Sequence, residues 1–332
     1  MQKRFAPDEG GTFPEWEEVT LGDIAEFSRG KGLTKKDVFK KGKRKCLLYG
    51  QLQVRYGTVI KNVTGMTDVE LKNPVLSKSG DVLISGTISA GLAKASCIKE
   101  DGVIIGGDIN ILRPKEGIDG EFLARAINAN TKKFKRFLEG SVILHLKNEN
   151  IKEVSIRIPK SIEEQRKIAA ALAAYDEMIA VKTAKLETWQ ECKKRMVKEI
   201  FGRTKRFRDD DGNEFPEWEE KMLGEVCKYG NTHKIGKNYI KVENMNKDFS
   251  GVTFLEPSLE RKGIVYDVGD VLMSNIRPYL RKAWLADRSG ICDSDVLVFH
   301  LKDGVDIDST FLYYTIASSE LVKWAMNRRE RN

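Results

Sequence analysis

The phrase Phe13-Pro14-Glu15-Trp16-Glu17-Glu18 near the start of the chain returns unchanged as Phe215-Pro216-Glu217-Trp218-Glu219-Glu220. Both copies continue to a Leu-Gly-acid tripeptide, Leu21-Gly22-Asp23 in the first and Leu223-Gly224-Glu225 in the second. Tryptophan is rare enough to make chance a poor explanation for this match. A separation of roughly 200 residues far exceeds the roughly 20–50 residues of solenoid repeats, so it predicts a duplicated globular domain.

Further landmarks recur in the same order and at similar spacing, while the sequence between them diverges. Residues 80–85 correspond to 269–274, residues 108–112 to 295–299, residues 115–119 to 302–306, and Phe122-Leu123 to Phe311-Leu312. These landmarks favour one scaffold that carries two different inserts. A protein built in this way presents two related surfaces to one extended or pseudo-symmetric partner.

The composition fits a soluble protein with room for two cores, since 41% of the 332 residues are hydrophobic and 32% are charged. No uninterrupted apolar stretch approaches the ~20 residues of a membrane span, and the charged N-terminus lacks the apolar core of a signal peptide. The five cysteines lack CxxC spacing, which favours reduced thiols over disulfides or a zinc site. We therefore expect a cytoplasmic protein with no membrane partner.

The formal charge of +8 favours an anionic partner, and its distribution says more than its size. Residues 29–45 contain nine basic residues and one acid, Asp37. Residues 193–208 contain eight basic residues and one acid, Glu199. Either cluster alone is compatible with a solvated face. Two clusters in a duplicated architecture favour contact with phosphate groups.

Short apolar runs broken by glycines, such as residues 46–49, predict strands and a mainly-β first domain. The spacing of apolar residues from Glu121 to Leu138 predicts a helix there. After this domain, Ser161 and Glu164 have the spacing of a capping box, and no Pro or Gly follows until Gly202. The spacing predicts a helix of about 40 residues, about 60 Å long. The predicted fold class is α+β: two similar mainly-β domains separated by a long coiled-coil-forming α-helix.

Apolar and aromatic side chains recur along this helix with alternating spacings of four and three residues, which is typical of a seam against one partner helix. The seam residues are Ile168, Leu172, Tyr175, Ile179, Leu186, Trp189, Met196 and Ile200. Packing on one of the chain's own domains is the alternative, but a helix of about 60 Å is longer than such a domain.

The predicted domain boundaries are 1–159 for the first domain, 160–202 for the helix, 203–214 for a polar linker and 215–332 for the second domain. Aligned on the landmarks, Asn332 falls opposite roughly residue 143, so a second long helix is expected to be missing. Three explanations stay open: a truncated gene product, pairing with a second copy or a separately encoded tail, or an inactive remnant. We favour truncation, with self-association through the exposed helix.

The order of these motifs resembles the specificity subunit of type I restriction-modification systems over essentially the whole chain. Pro159-x-x-x-x-Glu164-Gln165-x-x-Ile168-x-x-x-Leu172 resembles the start of that family's central helix. The repeated Trp…Leu-Gly-acid phrase resembles the start of each target-recognition domain. Residues 80–85 and 269–274 resemble the strand before a DNA-facing loop.

The resemblance implies that each domain reads one half of a bipartite, asymmetric sequence in double-stranded DNA. It implies that the helix sets the spacing, docks methyltransferase subunits and thereby reaches the restriction subunit indirectly. S-adenosylmethionine, ATP and magnesium are then expected only on those partners, and no cofactor or metal on this chain. Phosphate contacts would supply affinity and a few side chains at base edges would supply sequence choice.

Two pairs of segments are the candidates for DNA contact. The loops after the shared strand differ while their flanks match; the residues singled out there are Ser85, Thr87, Ser89 and Lys94 in the first copy and Asn275, Arg277, Tyr279, Arg281 and Lys282 in the second. The other pair is Gln51, Gln53 and Arg55 with Lys241, Glu243 and Asn244. Ordinary variation between loops is the alternative. Trp16 and Trp218 are expected to pack internally and not to stack on bases.

Catalysis by this chain is not expected. The sequence has no GxxxxGK[ST] loop, and Asn275-Ile276-Arg277-Pro278-Tyr279 does not fit the Asn/Asp-Pro-Pro-aromatic motif of amino-methyltransferases. The three histidines lie at non-equivalent positions. Two rival functions stay open: a free-standing duplicated DNA-binding protein that homodimerises through the long helix, and a helical scaffold that does not bind nucleic acid.

Overall fold

The computed structural model of the chain describes residues 5–88, 94–135, 144–254, 260–318, 321–322 and 326. The chain divides into two compact units, Met1–Lys182 and Thr183–Asn332. The boundary lies inside the long helix, so each unit includes one half of it.

The first unit consists mainly of short strands, with a few short helices among them. Its strands are β1 (Glu17–Thr20), β2 (Ala25–Arg29), β3 (Arg44–Leu47), β4 (Val59–Ile60), β5 (Met66–Thr67), β6 (Val82–Ser85), β7 (Thr87–Ile88), β8 (Ala95–Ile98), β9 (Ile104–Ile105), β10 (Ile109–Pro114), β11 (Leu144–His145) and β12 (Ser155–Ile158). Its helices are α1 (Leu21–Ile24), α2 (Tyr49–Val54), α3 (Gly120–Ala129), α4 (Thr131–Phe134), α5 (Asn148–Lys152) and the first half of α6 (Ile162–Phe201).

The central sheet of this unit has the strand order β2-β10-β6-β8-β4. β10 is antiparallel to both β2 and β6, and its register pairs Asn110 with Arg29 and Ile109 with Ser85. The end of β2, the start of β10 and the end of β6 therefore lie at one end of the sheet. α3 covers one face of the sheet, where Phe122 and Ile127 are buried against Val82 and Leu112.

The repeated motif at the start of the first unit packs against the start of α6. β1 pairs antiparallel with β12, the strand that leads into α6. The Trp16 ring packs edge-on against Phe122, and its Nε1 donates a hydrogen bond to Glu164 Oε1 at 3.1 Å. The fully buried Gln165 accepts from the Asp119 amide and donates to the Pro159 carbonyl, both at 2.9 Å. Glu164 and Gln165 of the quoted motif thus hold the helix start on this unit.

The second unit repeats this scaffold. Its elements are the rest of α6, α7 (Leu223–Val226), β13 (Cys227–Tyr229), β14 (His233–Gly236), β15 (Arg261–Tyr266), β16 (Val271–Ser274), β17 (Ala283–Leu285), β18 (Gly290–Cys292), β19 (Val296–Leu301) and α8 (Ser309–Ile316). The sheet order β13-β19-β16-β17 matches β2-β10-β6-β8 strand for strand. Trp218 packs edge-on against Phe311, the counterpart of Phe122, and both contact Phe201 at the end of α6.

The predicted α+β architecture, the duplication and the long helix are confirmed, and both repeated tryptophans pack internally as expected. Two local predictions are wrong. The strand predicted through Tyr49 ends at Leu47, and α2 follows it. The helix predicted for residues 121–138 is broken at Asn130 into α3 and α4, and residues 136–138 lie outside the described part. In the described part of the chain, no helix is long and apolar enough to cross a membrane.

Candidate nucleic-acid interface

The candidate loop of the first unit emerges from the sheet end where β6 stops. Ser85 is buried, and its hydroxyl donates to the Thr87 carbonyl at 2.6 Å. The Thr87 amide points back to the same hydroxyl at 3.4 Å. Ser85 therefore shapes the turn in this conformation and offers little surface to DNA. Ser89 lies outside the described residues.

The second candidate segment of the first unit lies beside this loop. Gln53 on α2 donates to Ser85 Oγ at 3.2 Å and to the Thr87 carbonyl at 2.7 Å. Lys94, at the far side of the loop, donates to the Tyr56 carbonyl at 2.6 Å. Arg55, between the two, is exposed at the end of α2. The structure thus brings together two segments that the sequence offers only as separate candidates. Gln51 instead caps α2 by accepting from the Leu48 amide.

The second unit repeats this convergence. Ser274 donates to the Ile276 carbonyl at 2.7 Å, as Ser85 does to that of Thr87. Lys282 donates to the Val242 carbonyl at 2.6 Å, as Lys94 does to that of Tyr56. The two units therefore use the same pair of contacts to join a variable loop to a variable segment.

In the second unit, the two segments enclose a groove of about 490 Å³. Its charged lining consists of Lys241, Glu243, Arg277, Lys282, Asp293 and Asp295. Three cations and three acids allow the groove to donate to and accept from base edges. Asp293 was not among the residues predicted to contact DNA, and Asp295 was identified only as the counterpart of Asp108 in the repeat. The Tyr239 hydroxyl hydrogen-bonds to Asp293 at 2.6 Å and lowers the pKa of that carboxyl.

The remaining candidates of the second unit take different roles. Asn275 and Tyr279 are exposed on the loop. Asn244 accepts from the Lys241 amide through its side chain at 2.9 Å and so fixes the turn that carries Lys241. Asn275 donates its amide to the Asp295 carbonyl at 2.9 Å, which ties the loop to the start of β19.

The two arginines of this loop point to different places. Both have left-handed backbones, with φ of 55° at Arg277 and 53° at Arg281, which is uncommon for bulky residues. Arg277 is exposed and lines the groove. The Arg281 guanidinium instead lies over the Phe249 ring, 4.8 Å from its centroid, and reaches the Ala317 carbonyl at 3.5 Å. The structure therefore assigns Arg281 to holding the loop, and Arg277 to the groove.

The two basic clusters also differ. In residues 193–208, Arg206 and Arg208 pair with Glu217 and Glu214, and Lys193 lies over the Tyr314 ring. In residues 29–45, Arg29 pairs with Asp108 and Lys45 with Glu100. The other seven basic residues of the first cluster are exposed, and none has an ion pair within the described ranges: Lys31, Lys35, Lys36, Lys40, Lys41, Lys43 and Arg44.

Most of the predicted helix seam is exposed. The exposed fractions are 42% for Leu172, 62% for Ile179 and 64% for Trp189. Tyr175, Leu186 and Met196 are exposed as well, whereas Ile168 packs partly against the core of the first unit and Ile200 is half-buried. Six of the eight seam residues are therefore exposed, which makes the stripe a candidate surface for binding a partner.

The sequence model of one family, the type I restriction modification DNA specificity domain, matches residues 14–188. The chain is 25% identical over 252 residues to the type I restriction enzyme EcoDI specificity subunit of Escherichia coli, a match that covers 64% of this chain and 55% of the relative. It is 23% identical over 353 residues to the MjaVIII specificity subunit of Methanocaldococcus jannaschii, covering 97% of this chain and 79% of the relative.

The fold is similar to solved structures from the same kind of system. The S subunit of a type I restriction-modification system from M. genitalium superposes with a TM-score of 0.59 at 16% identity, over 96% of this chain and 80% of that one. A chain from a study of complex assembly and conformational transition in a type I system gives a TM-score of 0.51 at 18% identity, over 94% and 82%.

Proposed function

The chain belongs to the family of type I restriction-modification DNA specificity domains, and from this premise we propose that it is the sequence-specific DNA recognition subunit of such a complex. Each unit reads one half of a bipartite, asymmetric target in double-stranded DNA. The observation that carries the proposal is the repeated scaffold, in which the same strand order and the same loop contacts support different side chains at the same end of each sheet.

The groove of the second unit supports readout by Arg277 and Lys241, with Asp293 and Asp295 as acceptors for base amino groups. Asn275 is exposed on the same loop and adds a side-chain amide beside the groove. In the first unit, Arg55, Thr87 and Lys94 occupy the matching position. A single chain with two different reading surfaces needs no palindromic target, unlike a symmetric dimer.

The long helix serves as spacer and docking surface in this proposal. Its exposed seam binds methyltransferase subunits, through which the restriction subunit joins indirectly. Methylation and cleavage, with the cofactors that they need, belong to those partners, and this chain contributes recognition alone.

Co-expression with a methyltransferase subunit of a type I system tests the proposal. We expect a stable complex on sizing and a split, asymmetric methylated sequence in the host DNA. A folded chain that retains no methyltransferase subunit and leaves no new methylation would contradict it.

A further inference from the structure

The positive charge of the chain is divided unequally between its two recognition domains. Residues 13–143 contain 22 Lys and Arg against 16 Asp and Glu, whereas the matching residues 215–332 contain 17 against 18. The duplicated scaffold is therefore positively charged in one copy and close to neutral in the other. Because non-specific affinity for DNA comes mainly from Lys and Arg at phosphates, we expect the two copies to contribute unequally to it.

The excess is concentrated on one exposed segment of the first unit, which we call the basic segment (residues 31–44). Seven of its residues are exposed Lys or Arg without an ion pair among the described residues. The single acid, Asp37, accepts from the Thr34 hydroxyl and amide at 2.6 and 2.7 Å. Its carboxylate is thus used to cap the local turn, and the cations face solvent.

The basic segment starts at the sheet end that carries the candidate loop. It follows Arg29, which is paired with Asn110 at the start of β10. The neighbouring residue Ile109 is paired with Ser85 at the end of β6. Arg29 also donates to Asp108 at 2.7 Å, and the Asp108 carbonyl accepts from the Gly86 amide. The segment and the loop therefore leave the sheet side by side.

The second unit has a different electrostatic character at the same end of its sheet. Its groove is lined by three cations and three acids, and the hydrogen bond from Tyr239 lowers the pKa of the Asp293 carboxyl below its usual 3.8. Acids at this position repel phosphates and accept hydrogen bonds from base amino groups. Most of the arginines of the other basic cluster are already paired.

We infer that the two recognition domains divide the work: the basic segment of the first domain is the main phosphate-binding surface and supplies most of the non-specific, salt-dependent affinity. The groove of the second domain contributes discrimination between base sequences and makes few phosphate contacts. The inference rests on the proposed function, because it assumes that both domains meet the same duplex.

The test measures binding of the full chain to an arbitrary-sequence DNA duplex of about 40 base pairs by fluorescence anisotropy, from about 50 to about 300 mM KCl. The test variant replaces five exposed lysines of the basic segment with glutamine: Lys31, Lys35, Lys36, Lys40 and Lys41. A matched control replaces five exposed lysines of the second domain and leaves Lys241 in its groove: Lys228, Lys234, Lys237, Lys247 and Lys262.

A plot of log affinity against log salt concentration has a negative slope, and each lost phosphate contact reduces the magnitude of that slope by about 0.9. We expect the basic-segment variant to lose at least about 2 from that slope and at least about tenfold in affinity near 150 mM salt, whereas the matched control changes by less than about threefold. Thermal unfolding of both variants should match that of the unaltered chain, because all ten side chains are exposed.

Equal losses in the two variants, or a larger loss in the control, would overturn the inference while leaving the proposed function intact. Absence of any salt-dependent binding by the unaltered chain would instead count against the proposed function itself.

Discussion

The backbone at Arg277 has φ 55° and ψ 63°, in the left-handed region that costs a non-glycine residue roughly 1–2 kcal/mol. Strain of this kind is typical of functional sites. We expect Arg277→Gly to stabilise the second unit by about 1 kcal/mol. It should weaken specific binding by about 1–3 kcal/mol, because a base contact is lost. Thermal unfolding measures the expected gain in stability, and a DNA titration of the same preparation measures the expected loss of affinity.

Arg281→Ala is the matched variant, because Arg281 has the same backbone conformation but a side chain packed on Phe249. Loss of that contact and of the bond to the Ala317 carbonyl should destabilise the second unit by about 1–2 kcal/mol. Equal binding losses at matched stability in both variants would contradict the different roles assigned to the two arginines.

Two acids of the second unit predict opposite pH dependence. Burial raises the pKa of Asp270 above its usual 3.8, whereas the hydrogen bond from Tyr239 lowers that of Asp293. The stability that Asp270 contributes is present below pH 3.8 and is lost as pH rises through the raised pKa. The stability that Asp293 contributes is present above pH 3.8 and is lost as pH falls through the lowered pKa.

The difference in melting temperature between the unaltered chain and Asp270→Asn should therefore become smaller as pH rises from about 4 to 7. The difference in melting temperature between the unaltered chain and Asp293→Asn should instead become smaller as pH falls below about 4. Calorimetric scans across this range provide the measurement, and slopes of the same sign would count against the assignment.

At the residue scale, the sequence could predict which loops vary but not where their side chains point. Ser85 and Arg281 have the right chemistry for DNA, yet one is buried in its own turn and the other packs inward. Those outcomes depend on φ angles and on partners such as Phe249, which are far away in sequence. Lys94 and Lys282 could be matched by their position after the shared strand.

The exposed seam of α6 makes a prediction at the scale of a single element. Leu172→Asp with Ile179→Asp should abolish binding of the methyltransferase subunit, because charges would enter an apolar helix interface. Both side chains are exposed, so the unfolding of each unit should be unchanged. Ala180→Asp with Ala184→Asp, exposed positions away from the seam, is the control. If the seam variant still eluted from a sizing column in complex with the methyltransferase subunit, the seam would not be the docking surface.

The start of α6 makes a different prediction, because it depends on one buried amide. Gln165→Ala should destabilise the first unit by about 2–4 kcal/mol, since the Asp119 amide and the Pro159 carbonyl lose their partner. Gln190→Ala, an exposed glutamine of the same helix, should change stability by less than about 0.5 kcal/mol. Similar melting curves for the two variants would argue against this role.

The long helix was predictable because its period, its capping box and its stop at Gly202 all agree. The helix α2 was not, because Tyr49–Val54 is too short for a period and contains a glycine. The pairing of β1 with β12 joins residues that are far apart in sequence, which a local pattern does not reveal.

At the scale of the whole molecule, the duplication preserves the central sheet and changes what is attached to it. β9 pairs parallel with β3, and its counterpart β18 makes a parallel bridge to Ile240, so this pairing is preserved. The attached strands differ, because β3 also pairs with β5 in the first unit, whereas β15 pairs with β14 in the second. Shared phrases such as 80–85 and 269–274 mark the preserved strands, so the common sheet could be predicted. The divergent inserts carry no such match, and their pairings arise only in the folded chain.

The central claim is that each unit independently reads one half of a split target. The most direct measurement is methylome sequencing of host DNA after co-expression with a methyltransferase subunit, for the unaltered chain and for Arg277→Gln. We predict a bipartite methylated sequence in which the variant relaxes or changes one half and leaves the other half and the spacing unchanged. A variant that altered both halves alike, or an unaltered chain that gave one continuous or symmetric sequence, would contradict the account.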